Sequence, residues 1–136
     1  MNLLLYASFP SFPDHVKAKA WWDHALSGSQ RVCLGYVVVL GFIRISTSSR
    51  VFQPPLSIDQ AIEVVNGWIG QPNVELLCPA RDHWDHLKTM LRAGKMGGNL
   101  TTDAHIAALA VDYGLVVYSN DADFARFPTI QCVNPL

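Results

Sequence analysis

The chain has 136 residues, half of them apolar and 15% charged, with 10 Lys plus Arg against 11 Asp plus Glu for a net charge of −1. That size and balance predict a single compact domain over residues 1–136 and exclude a disordered tail protein. With no basic excess, nucleic acid or an anionic membrane is not bound through overall charge, so any such partner has to be met by a local patch or through a metal ion. The start, Met1-Asn2-Leu3-Leu4-Leu5-Tyr6, lacks the basic region of a secretory signal, and the longest apolar stretch, 37–43, falls far short of the ~20 residues that span a bilayer. No membrane partner and a cytoplasmic location are expected. Cys33, Cys78 and Cys132 are widely spaced in apolar contexts and predict buried free thiols, not disulfides or a zinc site.

In chain order, Asp14 at a capping position and Val16, Ala20, Trp21 and Leu26 at near-helical spacing predict a helix over 14–26. A short strand over 31–36 leads into an apolar helix over 37–46, and the Pro/Ser-rich stretch 46–57 is a loop. Ser57 caps a helix over 58–69, with Ile58, Ala61, Ile62, Val65 and Ile69 as its apolar stripe and Gly70 and Pro72 ending it. A buried strand over 74–78 follows, and Pro79 opens a helix over 80–92 that Gly94 closes. After a Gly-rich connector, 94–99, comes a helix over 101–112, capped by Thr101 or Thr102 and closed by Gly114. The chain finishes with a strand over 115–118, a polar turn or short helical piece over 121–127, and a strand over 130–133. Strands alternating with helices predict an α/β fold with a mainly parallel sheet, whose sites form outside the carboxyl ends of the strands.

Nine of the 11 acids are Asp. Asp103 falls in the first turn of a helix, where the dipole favours a carboxylate, and Asp121 and Asp123 follow a strand directly. Singly, each is an ordinary helix-start or turn residue. Together they can reach one sheet edge as a set of oxygen donors, which suits Mg²⁺ or Mn²⁺ and hence phosphate chemistry, and the preference for a metal site rests on the resemblance below. The pair His83 and His86 lacks the spacing of a zinc helix and reads as part of a solvated polar face, while His105 reads as a packing or hydrogen-bonding histidine.

The stretch Thr101-Thr102-Asp103-Ala104-His105-Ile106-Ala107-Ala108-Leu109-Ala110, then Ser119-Asn120-Asp121-Ala122-Asp123-Phe124-Ala125-Arg126-Phe127, then Asn134-Pro135-Leu136, resembles the C-terminal half of PIN-domain ribonucleases of the VapC toxin type. Leu40 to Thr47 and Arg50-Val51-Phe52 are similar to a subgroup of the same toxins, so the likeness runs through the whole chain. It implies a three-layer α/β/α fold, a homodimer, a cognate antitoxin from a type II toxin–antitoxin pair, and Mg²⁺- or Mn²⁺-dependent endoribonuclease action on RNA of the tRNA or rRNA class by metal-activated water. Asp103 and Asp121 fall on the family's catalytic, metal-binding carboxylates and Asp123 on an accessory acidic position. Asn2, Ser119 and Asn120 fall on site-shaping positions, and Arg44, Arg50 and Lys95 are candidates for RNA contacts. Two departures stand out. Gly41 lies where many members carry a ligating Glu, and the family's first central strand with its catalytic Asp is expected before Met1. The second function the residues allow is therefore a catalytically degenerate or N-terminally truncated PIN domain that binds antitoxin or RNA without cutting it.

Overall fold

The computed structural model describes every residue except Met96 and Pro128. It is an α/β fold in which the described residues form six α-helices and two pairs of parallel strands. The chain divides into two compact units, Met1–Leu77 with Leu136, and Cys78–Pro135.

In the first unit, helix α1 (Asn2–Ser8) packs on α2 (His15–Ser27), and β1 (Val32–Gly35) leads into α3 (Tyr36–Ser46) and α4 (Ile58–Ile69) before β2 (Val74–Leu77). β1 and β2 pair in parallel, Val32 opposite Val74 and Gly35 opposite Leu77, as expected of strands joined through helices. The core collects Leu4 and Leu5 of α1, Trp22 of α2, Phe42 of α3 and Trp68 of α4. Trp68 meets the rings of both Phe42, at 4.7 Å, and Trp22, at 5.7 Å, edge to face. Burial of each such ring contributes ~2–3 kcal/mol, which places the aromatic trio among the main supports of this unit.

Two apolar stripes differ from expectation. On α2 the inward residues are Ala18 and Trp22, while Val16 is 78% exposed; on α4 they are Ala61, Val65 and Trp68, while Ile58 and Ile62 stand exposed. In each case the indole facing the aromatic trio selects the inward arc. The N-terminus of α4 is as predicted: Ser57 Oγ accepts from the Gln60 amide and the Gln60 side chain accepts from the Ser57 amide. Asp14 occupies the N-cap position of α2 without a side-chain capping bond. Gly41 is buried, and a Cβ there would come within 2.2 Å of Met1 Sδ, so a larger side chain fits only if Met1 moves.

The second unit holds α5 (His83–Gly94), α6 (Leu100–Tyr113), β3 (Val117–Tyr118), a 3₁₀ helix (Ala122–Arg126) and β4 (Cys132–Val133). β3 and β4 pair in parallel, Val117 opposite Cys132. Its core joins Met90 of α5 to Ala104, Ala107, Ala108 and Ala110 of α6, closed over by Phe124 and Phe127. α5 starts three residues later than predicted: Arg81 and Asp82 form a turn before it, and the Ala80 amide donates to the Asp112 carboxylate. α6 starts one residue earlier, at buried Leu100 behind Asn99, and neither Thr101 nor Thr102 caps it. Gly114 ends α6 in the left-handed conformation, φ 62°, which a glycine adopts without strain. The connector includes Met96, which lies outside the described residues, and Lys95 ends α5 in a left-handed conformation, φ 54°. The cysteines are free as expected but not buried: Cys33 and Cys132 are half-buried and Cys78, at the end of β2, is exposed.

Candidate metal centre

The second unit brings the three predicted carboxylates into one electrostatic neighbourhood. Asp103 sits half-buried in the first turn of α6. Burial, and then the charges of Asp121 and Asp123, raise its pKa above the ordinary carboxylate value. Asp121 and Asp123 owe their places to the turn that follows β3. Ser119 Oγ accepts from the Asp121 amide at 3.0 Å, and Asp121 Oδ1 accepts from the Asp123 amide at 2.9 Å, which caps the 3₁₀ helix. Asp121 is thus both a turn residue and a member of the acidic set. Asp123 Oδ1 accepts from Arg126 Nε at 3.0 Å, so part of its charge is already answered.

A cavity of ≈ 510 Å³ opens beside this turn, with Ser119, Asn120 and Asp121 on its polar side and Phe124, Phe127 and Ile130 on its apolar side. Asn120 Oδ1 is buried with no hydrogen-bond partner among the described residues, an acceptor left over in a site rich in acceptors. The donors on offer are all oxygens, the set preferred by Mg²⁺ and Mn²⁺. Among the described residues no three His, Cys, Asp or Glu side chains close on a common point. The arrangement therefore fits an ion held by one or two carboxylates that keeps most of its waters, the usual state of protein-bound Mg²⁺, and does not fit a closed protein cage.

The remaining candidates lie on other elements. Asn2 begins α1, Arg44 lies exposed in the last turn of α3, and Arg50 lies exposed in the loop beyond it, all in the first unit. Lys95 is exposed at the end of α5 in the second.

One cluster departs from the sequence reading. His83 is buried, 8% exposed, and does not belong to a solvated face. Its Nδ1 donates to Asp112 Oδ2 at 2.5 Å and its Nε2 meets His105 Nδ1 at 2.8 Å. His86 Nδ1 donates to Asp112 Oδ1 at 2.6 Å, and the Ala80 amide donates to Oδ2 at 3.2 Å. Burial works against the Asp112 carboxylate, but the bonds from His86, Ala80 and His83 outweigh it and hold its pKa below the usual value. Burial, and then the neighbouring His83, lower the pKa of His105, which is the hydrogen-bonded histidine expected. The missed signal is the spacing of His105 and Asp112, two polar residues seven apart on an otherwise apolar, alanine-rich helix.

A family model for the PIN domain matches residues 2–130. Ribonuclease VapC33 of Mycobacterium tuberculosis is 41% identical over 136 residues, covering 100% of this chain and 95% of that protein. Ribonuclease VapC37 of the same organism is 39% identical over 134 residues, covering 98% and 93%. Among solved structures, VapBC2 from Rickettsia felis, bound to a DNA fragment from its promoter, superposes with a TM-score of 0.65 at 16% identity, covering 98% of this chain and 93% of that one. VapBC-1 from nontypeable Haemophilus influenzae gives 0.62 at 18% identity, covering 85% and 83%. With its parallel strands, its acidic turn after β3 and a family match over nearly its whole length, the chain belongs to the PIN-domain family.

Proposed function

We propose that the chain is a metal-dependent endoribonuclease and the toxin of a type II toxin–antitoxin pair. The observation that carries the reading is the placement of Asp103 in the first turn of α6 within reach of the charges of Asp121 and Asp123 in the turn after β3, since carboxylates gathered against their own repulsion mark a place for a cation. The ribonuclease names of relatives at 41% and 39% identity support RNA as the substrate. The VapBC assemblies among the structural neighbours support an antitoxin partner.

Asp103 and Asp121 are the residues that hold the ion, Asp103 from the first turn of α6 and Asp121 from the 3₁₀ cap. Asp123 adds negative potential that its pairing with Arg126 moderates. When bound, a divalent ion lowers the pKa of water and offsets charge on the phosphate and the leaving oxygen. Arg44, Arg50 and Lys95 are exposed cations available for phosphate contacts.

The test is Mn²⁺ titration of the purified chain beside cleavage of tRNA and rRNA, with EDTA and Asp121→Asn as controls. Cleavage that requires the ion and is abolished in Asp121→Asn is the expected result. A chain that binds no Mn²⁺ and leaves RNA intact in Mg²⁺ and in Mn²⁺ refutes the proposal. Light scattering of the same preparation tests the homodimer that the family resemblance implies.

A further inference from the structure

The histidine network between α5 and α6 lies outside the carboxylate set, and nothing in the proposed chemistry uses it. Its geometry bears on where Asp103 stands. The face of α6 that enters the core carries Ala104, Ala107, Ala108 and Ala110, all 5% exposed or less, beside buried Leu100 and Leu109. The four alanines make shallow ridges, which by themselves oppose sliding and rotation of packed helices weakly. At its N-terminus α6 is held by buried Leu100 and by no side-chain cap, since Asn99 makes no capping bond and exposed Gly97 and Gly98 precede it.

His83 supplies what the alanines lack. One ring nitrogen is bonded to Asp112 and the other to His105, residues seven apart on α6, so a single imidazole on α5 is tied to points roughly 10 Å apart along the α6 axis and on nearly the same side of it. The rings of His83 and His105 meet edge to face, centroids 4.7 Å apart. Asp112 is held independently by His86 and the Ala80 amide, which anchors the far end of the tie. His105 is two residues from Asp103. A one-residue slip of α6 moves its side chains by about 1.5 Å and turns them by about 100°, far outside the tolerance of Mg²⁺ coordination.

We propose that His83 is a positioning residue for Asp103: by bonding His105 and Asp112 together it fixes the register of α6 and so the place of the carboxylate that receives the divalent ion. The inference rests on the proposed ion site and adds a residue on α5 that touches neither ion nor RNA.

Three variants of the full chain separate the ties. His83→Phe keeps a ring and removes both bonds, while leaving Asp112 its partners His86 and Ala80. His83→Asn keeps a donor toward Asp112 only, and His83→Gln keeps a polar group at the place of Nε2. The probe is Mn²⁺ alone, followed by electron paramagnetic resonance, with ¹⁵N amide spectra of the metal-free protein. Folded His83→Phe is expected to bind Mn²⁺ about 10-fold more weakly or worse, the range seen when an outer partner of a ligand is lost, with shifted α6 amides. His83→Gln is expected to recover most of that affinity. In RNA cleavage kcat falls and KM holds. Folded His83→Phe with wild-type Mn²⁺ affinity overturns the positioning role and leaves the ion site standing. Failure of the wild type to bind Mn²⁺ overturns both. If His83→Phe does not fold, His83→Asn decides by the same affinity measurement.

Discussion

Replacing Asp103 with Asn removes a charge and keeps the shape, and its effects on stability and on ion binding have opposite signs. Burial, then Asp121 and Asp123, raise the Asp103 pKa above the ordinary 3.8, so the folded chain holds that proton more tightly than the unfolded chain. The stabilising proton is in place below the unfolded value, and its contribution is lost as pH rises through the raised folded value. Where Asp103 is ionised, the metal-free wild type therefore carries the repulsion. Asp103 is only half-buried, and after screening by solvent each of the two carboxylate repulsions is worth ~0.5 kcal/mol. Asp103→Asn is expected to gain ~1 kcal/mol, about 3 °C in Tm for a chain of this size. Mn²⁺ reverses the order. At 100 times its Kd an ion stabilises the wild type by ~2.7 kcal/mol, roughly 8 °C, while the variant, short of one carboxylate, gains far less. Thermal unfolding followed by circular dichroism at pH 7, in EDTA and across a Mn²⁺ series, gives two curves that cross. A variant that melts below wild type in EDTA, or that responds to Mn²⁺ just as the wild type does, refutes the reasoning.

Arg126→Ala removes the cation paired with Asp123 and is expected to tighten Mn²⁺ binding by a factor of about 2–5, the worth of an exposed ion pair, with Tm little changed; calorimetric titration reads both. Asp112→Asn leaves buried His83 and half-exposed His86 without their carboxylate and is expected to cost ~2–3 kcal/mol at pH 7 in urea unfolding. Because its folded pKa is depressed, the Asp112 contribution is complete above the unfolded value of 3.8 and is lost as pH falls through the lower folded value, so the gap between wild type and Asp112→Asn is expected to narrow below about pH 4. A gap that stays constant to pH 3 contradicts the sign. Ser57→Ala removes the acceptor of the Gln60 amide and is expected to cost ~1 kcal/mol in the same unfolding measurement.

What the sequence disclosed of the fold follows the range of the interactions involved. The α4 capping box joins residues three apart, and Gly114 ends α6 through its own backbone, so both were legible from local spacing. The inward faces of α2 and α4 were not. On α4, Ile58, Ala61, Ile62, Val65, Trp68 and Ile69 cover more than one arc, and which arc turns inward depends on Trp68 meeting Phe42 and Trp22, residues from two other helices. Likewise Pro79 is a good first helical residue by local rules, yet α5 opens at His83, and the Ala80 amide goes to Asp112, 32 residues beyond it, a partner that no local spacing shows.

The same distinction divides the site. Asp121 and Asp123 share a five-residue turn and Asp103 opens the helix before it, so the acidic set could be assembled from positions within 21 residues of one another. The His83–Asp112–His105 network required knowing that α5 lies along α6. Even so, half of it was written locally. On α6, His105 and Asp112 fall seven apart on nearly one side of the helix. Two polar groups at that spacing, one of them a carboxylate, cannot both enter a core without a partner, since an unpaired buried charge costs several kcal/mol. A single partner able to use two faces at once answers both, and among the side chains His has two ring nitrogens set for that purpose. The two histidines of 83–86, placed on the helix that precedes α6, then stop looking like a solvated pair and become the expected complement of an alanine helix that carries its own polar seam.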